Sequence, residues 1–162
     1  MKATFYDSEF LIAGKQNTLA QWRDKTLLIV NSATQCALAS QFTGLQNLHE
    51  KFHEQGLVVI AFPCDQFFKQ EPETDQSMTQ VCQLNFGVSF DIAHKVAVNG
   101  QHTHPIFQYL KSQAPGIFGS EKIKWNFTKF LVSPGASQIK RYSPSVKPEN
   151  LIEEIEIMCQ ST

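Results

Sequence analysis

Two short runs of unbroken hydrophobicity, Leu27-Leu28-Ile29-Val30 and "LVVIAFP" from Leu57 to Pro63, bracket a stretch of helical periodicity. No other feature constrains the fold as tightly. A strand with no polar alternation has to be covered on both faces, as central strands of parallel sheets are. Between the runs, Phe42, Leu45, Leu48 and Phe52 recur at helical spacing through "FTGLQNLHEKFHEQG", and Gly56 supplies the stop. The reading is a β-α-β unit.

Further elements follow in order. Met78, Val81 and Cys82 share one face of a helix predicted from about Thr74 to Asn85. "THPIFQYLKSQAPG" predicts another, with Ile106, Tyr109 and Leu110 on one side and Pro115-Gly116 ending it. Phe130-Leu131-Val132 and Ile139 to Tyr142 flank the turn "SPGAS", which predicts a hairpin. A last helix opens at Pro148-Glu149 and carries Leu151, Ile152, Ile155, Met158 and Cys159 on one stripe. This order fits an α/β fold, a three-layer sandwich of thioredoxin type with a central mixed β-sheet flanked by helices. Periodicity by itself does not choose it over other three-layer arrangements.

The chain has 162 residues, enough for one domain with a full core, and no linker or repeat divides it, so residues 1–162 read as a single domain. The formal net charge is -1 and no Lys/Arg run stands out, which argues against nucleic-acid partners. No segment approaches the length of a membrane-spanning helix and no secretion signal opens the chain, so a soluble, cytoplasmic protein is expected. Cys36, Cys64, Cys82 and Cys159 are widely and unevenly spaced. In that setting they are expected to rest as thiols rather than as a disulfide framework. No Cys-x2-Cys pair is present, and His102 with His104 is an isolated His-Thr-His, so neither a metal nor a cofactor is expected.

"NSATQCALASQF" (31–42) places Cys36 directly after the first buried strand and directly before the helix. Unpaired N–H groups and the positive end of a helix dipole meet there, an environment that favours the thiolate, the nucleophilic form. A buried, inert cysteine is the alternative at such a position.

Three further stretches are "FPCDQFFKQEP" (62–72), "CQLNFGV" (82–88) and "KWNFTKFLV" (124–132). Taken with "NSATQC", they resemble the glutathione peroxidase family in its cysteine-containing, thioredoxin-dependent branch. The likeness runs from the early "FYD" to "KRYSPSVKPENL" near the end. It implies a thioredoxin fold and a thiol peroxidase that reduces hydrogen peroxide or organic hydroperoxides, including lipid hydroperoxides. By resemblance, Cys36 is the peroxidatic nucleophile, and Gln70, Trp125 and Asn126 complete a tetrad of neutral donors that stabilise thiolate and leaving oxyanion. Cys82 matches the resolving cysteine, which condenses with the Cys36 sulfenic acid to a Cys36–Cys82 disulfide recycled by thioredoxin, with glutathione the competing reductant. Helical spacing turns Cys82 toward the core, so its segment is expected to open locally before the disulfide forms.

The pattern is departed from in places. Ala37-Leu38-Ala39-Ser40 replaces Gly-Phe/Leu-Thr-Pro after the nucleophile, Asp65 replaces Asn, and Phe68-Lys69 replace Gly-Gly before Gln70. An inward-pointing Asp65 would oppose ionisation of a nearby thiol, and Phe68 would enlarge an apolar rim. The short "APGIFGSEKIK" before Trp125 lacks the insertion tetrameric relatives use at their interfaces, which implies a monomer. Two other readings share these residues. One is a peroxide sensor that passes oxidation to a partner protein, and the other is a thioredoxin-like binding module that has lost activity.

Overall fold

The computed structural model describes residues 2–67, 71 and 74–160, without the side chains of residues 2–4, 76, 79 and 84. In chain order its regular elements are α1 (Lys2–Asp7), β1 (Glu9–Ile12), β2 (Lys15–Thr18), β3 (Thr26–Ser32), α2 (Gln41–Phe52), β4 (Leu57–Pro63), α3 (Asp75–Phe86), β5 (Asp91–Ile92), α4 (Pro105–Gln113), β6 (Lys129–Val132), β7 (Ile139–Tyr142) and α5 (Ile152–Gln160). The central sheet has the order β5-β4-β3-β6-β7, with β3, β4 and β5 parallel and β6 and β7 antiparallel to their neighbours.

Every residue of β3 is buried, as an unbroken apolar run requires. Side chains alternate across the sheet and so build two cores. Leu28, Val30, Val59, Ala61 and Leu131 face one side, where Phe42, Leu45 and Leu48 of α2, Met78 and Cys82 of α3, and Ile155 and Met158 of α5 cover them. Leu27, Ile29, Ile60, Phe62, Phe130 and Val132 face the other, under Phe5 and Tyr6 of α1 and Ile106, Phe107 and Leu110 of α4. Helices therefore cover both faces of a mixed sheet, the thioredoxin-type sandwich expected.

The helix expected from about Thr74 is α3, with Thr74 as its cap. Thr74 Oγ1 accepts from the Ser77 N–H at 3.2 Å while Ser77 Oγ accepts from the Thr74 N–H at 3.1 Å, a reciprocal capping box. The helix stops at Gly87, whose φ of +67° is left-handed. The last helix starts as one 3-10 turn, Pro148–Leu151, before α5 proper. Three elements lie outside the sequence reading: α1, the β1–β2 hairpin and the two-residue β5. The hairpin sits on the second face through Phe10 and the partly buried Ile12, both on β1, while β2 carries no apolar residue, so the alternation is too short to read.

Candidate active site

The turn after β3 holds Cys36. Its side chain is 6% exposed, and the Leu38 N–H donates to Sγ at 3.4 Å. The thiol does not directly precede the helix, as the sequence suggested. Successive i→i+3 turns occupy residues 37–40, closed by Ala39 N–H to Cys36 O and Gln41 N–H to Leu38 O, both at 2.9 Å. Helix α2 begins only at Gln41, so the N–H at the sulfur belongs to the turn rather than to the helix. Two residues before the thiol, Thr34 donates from its N–H to Glu71 Oε1 at 3.1 Å and from its hydroxyl to Glu71 Oε2. Glu71, 1% exposed, thereby anchors the Cys36 turn to the segment that follows Gln70. Gln70 itself lies outside the described residues, as do Phe68 and Lys69. Asp65 is exposed rather than turned inward.

Trp125 and Asn126 lie in the connection that enters β6. Asn126 is fully buried, and the half-buried Trp125 packs against both cores, its ring centroid 5.7 Å from that of Phe67. Phe127 then takes a left-handed φ of +65°. The turn is tied to the end of β3 through Asn31. The Asn31 amide donates to Trp125 O at 3.1 Å, its Oδ1 accepts from Thr128 N–H at 3.1 Å, and its backbone carbonyl accepts from Phe127 N–H at 2.7 Å. From the other side the Lys129 ammonium donates to Phe127 O at 2.8 Å and to Pro144 O at 3.3 Å. Lys129 is fully buried, and that burial lowers its pKa to about 7.

The four cysteines are thiols distributed between the two cores. Cys82 is fully buried in the first, the same cluster that contains Cys36, and Cys159 packs partly buried against that cluster. Cys64 is buried in the second, where burial, with Asp65 adding to it, pushes its thiol up. Burial pushes Cys159 up as well. The structure thus brings Cys36, Cys82 and Trp125 to one cluster and leaves Cys64 on the other face.

Asn31, Glu71 and Lys129 escaped the sequence reading because residues of these types are ordinarily solvated. The signal present was position: Asn31 interrupts a strand buried on both faces, and Lys129 opens another. The sequence reading counted no His-x3-His spacing, but His49 and His53 carry one. Their rings lie 5.0 Å apart on and just beyond α2. Among the described residues no group of three His, Cys, Asp or Glu is arranged to hold a metal, and no helix is long and apolar enough to cross a membrane.

Comparison with known proteins places these features in a family. Residues 5–111 match the family model described as "Glutathione peroxidase". The chain is 47% identical over 146 residues to the "Glutathione peroxidase homolog BsaA" of Halalkalibacterium halodurans, covering 90% of this chain and 92% of that one. It is 42% identical over 157 residues to "Glutathione peroxidase-like peroxiredoxin 2" of Saccharomyces cerevisiae, covering 96% and 97% respectively. The crystal structure of T. cruzi GPX1 superposes with a TM-score of 0.78 at 31% identity, covering 96% of each chain.

Proposed function

The chain belongs to the glutathione peroxidase family and is a peroxidase; from that premise we propose that it is a two-cysteine thiol peroxidase, with Cys36 peroxidatic and Cys82 resolving, recycled by thioredoxin. The observation that carries this reading is the distribution of thiols: Cys82 shares a core with Cys36, whereas Cys64 does not.

In the first step the Cys36 thiolate attacks one oxygen of the O–O bond. That bond breaks, the second oxygen leaves as an alkoxide or hydroxide that takes up a proton, and sulfur is oxidised to the sulfenic acid. Gln70, the Trp125 indole and the Asn126 amide serve as neutral donors for the thiolate and the departing oxygen. In the second step the Cys82 thiolate attacks the sulfenic sulfur, the S–S bond forms, and hydroxide leaves as water. Thioredoxin's dithiol then returns both cysteines to thiols and is itself oxidised. The name of the yeast relative, a glutathione peroxidase-like peroxiredoxin, supports a thiol-based peroxidase. Since Cys82 is fully buried, α3 must open locally before the sulfurs meet in disulfide geometry.

The test is NADPH consumption with hydrogen peroxide or an organic hydroperoxide, supplied with thioredoxin and its reductase or with glutathione and its reductase. Rapid turnover with thioredoxin alone, abolished by Cys36→Ser and by Cys82→Ser, is the expected result. Turnover with glutathione that survives Cys82→Ser would remove Cys82 from the mechanism. Oxidation of Cys36 without turnover by either reductant would favour the sensor, in which the sulfenic acid passes to a partner protein.

A further inference from the structure

We propose that Asn31 and Lys129 are positioning residues of the peroxidatic site, clamping the Trp125–Phe127 turn from opposite sides so that the indole and the Asn126 amide are held toward the Cys36 turn. The inference rests on the peroxidatic reading of Cys36. Its geometry comes from three features. First, Asn31 bonds on both sides of Asn126, to Trp125 O before it and to the N–H groups of Phe127 and Thr128 after it. Asn31 lies near the end of β3, and Cys36 lies five residues on in the turn that follows the strand, so the clamp is anchored on the strand that leads into the Cys36 turn.

Second, Phe127 holds a φ that bulky L-residues rarely adopt. Such a conformation persists where surrounding bonds over-determine it. Asn31 fixes the Phe127 N–H and Lys129 fixes its carbonyl, which restrains both peptide planes flanking this one Cα.

Third, Lys129 is a fully buried amine whose depressed pKa has burial as its cause, with no ion pair among the described residues to offset the cost. An apolar side chain of similar volume would avoid that cost. What the amine supplies instead is its pair of bonds to the Phe127 and Pro144 carbonyls, which ties the turn to the segment after β7.

The test uses Lys129→Met, which keeps volume and removes the donors, and Asn31→Asp, which keeps the acceptor for Thr128 and removes the donor to Trp125. Both are made in a Trp22→Phe background so that Trp125 is the sole indole. Three quantities are read: the single-turnover rate of Cys36 oxidation by hydrogen peroxide, quenching of Trp125 emission by acrylamide, and Tm. Lys129→Met is expected to melt no lower than its parent, to oxidise about 10- to 100-fold more slowly, since small misplacements of catalytic groups carry such factors, and to expose Trp125 to quencher. Asn31→Asp is expected to slow oxidation likewise, and it carries the test if Lys129→Met fails to fold. A fast parent with both variants equally fast and equally quenched would overturn the clamp alone. A parent in which Cys36 oxidises no faster than a free thiol would overturn the peroxidatic reading and the clamp with it.

Discussion

An amine sealed in a protein interior makes stability depend on pH in a direction opposite to the usual lysine ion pair. Burial lowers the Lys129 pKa to about 7 in the folded chain, from its ordinary 10.5 when unfolded. Between those values the unfolded state holds a proton that the folded state has lost, so the contribution to stability rises with pH across that window. Below about 7 both states are protonated and the full cost of the buried charge is present; above 10.5 both are neutral and it is gone. Lys129→Met is therefore expected to be more stable than the parent at pH 6, with the advantage shrinking steadily toward pH 10. Melting temperatures of the pair across that range test this, and a difference that stays flat or widens would contradict it. Residues such as Lys129 and Asn31 are the least legible in a sequence, because side-chain type predicts exposure and only the three-dimensional bonds reverse it. Cys36, Trp125 and Asn126 stood out for the opposite reason: they lie inside long, chemically distinctive motifs.

Among the elements, α3 holds Cys82 in the core, and the proposed cycle requires it to release that residue. Its N-terminus is secured by the Thr74–Ser77 capping box and by the Asp75 carboxylate, which accepts from the Lys95 N–H at 2.8 Å. Removing the cap with Thr74→Ala is expected to cost about 1 kcal/mol of local stability. If opening of α3 limits closure of the Cys36–Cys82 bond, that variant forms the disulfide about fivefold faster after a peroxide pulse. Stopped-flow kinetics read this directly, and an unchanged or slower rate would count against local opening. Amide exchange across residues 74–90 is expected to be much faster in the oxidised protein, and equal protection in both states would contradict it. At this scale the sequence was most readable where one physical signal dominated: unbroken apolar runs for β3 and β4, a 3.6-residue stripe for α2 and α5, and a turn motif for the β6–β7 hairpin. Reading failed where the signal is absent. β5 has two residues, β1 and β2 bury little, and residues 37–40 form consecutive turns that look like the start of a helix when only composition is visible.

Across the whole molecule, the central sheet separates the thiols. Cys36 and Cys82 lie in the core on one face, with Cys159 packed against it, and Cys64 lies in the core on the other. One equivalent of peroxide added to the folded protein is expected to protect Cys36 and Cys82 from alkylation while Cys64 labels as a thiol once the quenched sample is opened. Mass spectrometry of the alkylated peptides reads this, and a native Cys36–Cys64 crosslink would contradict it. The same partition gives the molecule a record of its own history. A bond between Cys36 and Cys64 would join the two cores that the sheet keeps apart, so it works as a tamper seal: its presence in a sample would report that the native partition had been lost in an oxidising setting, long after the chain had closed up again.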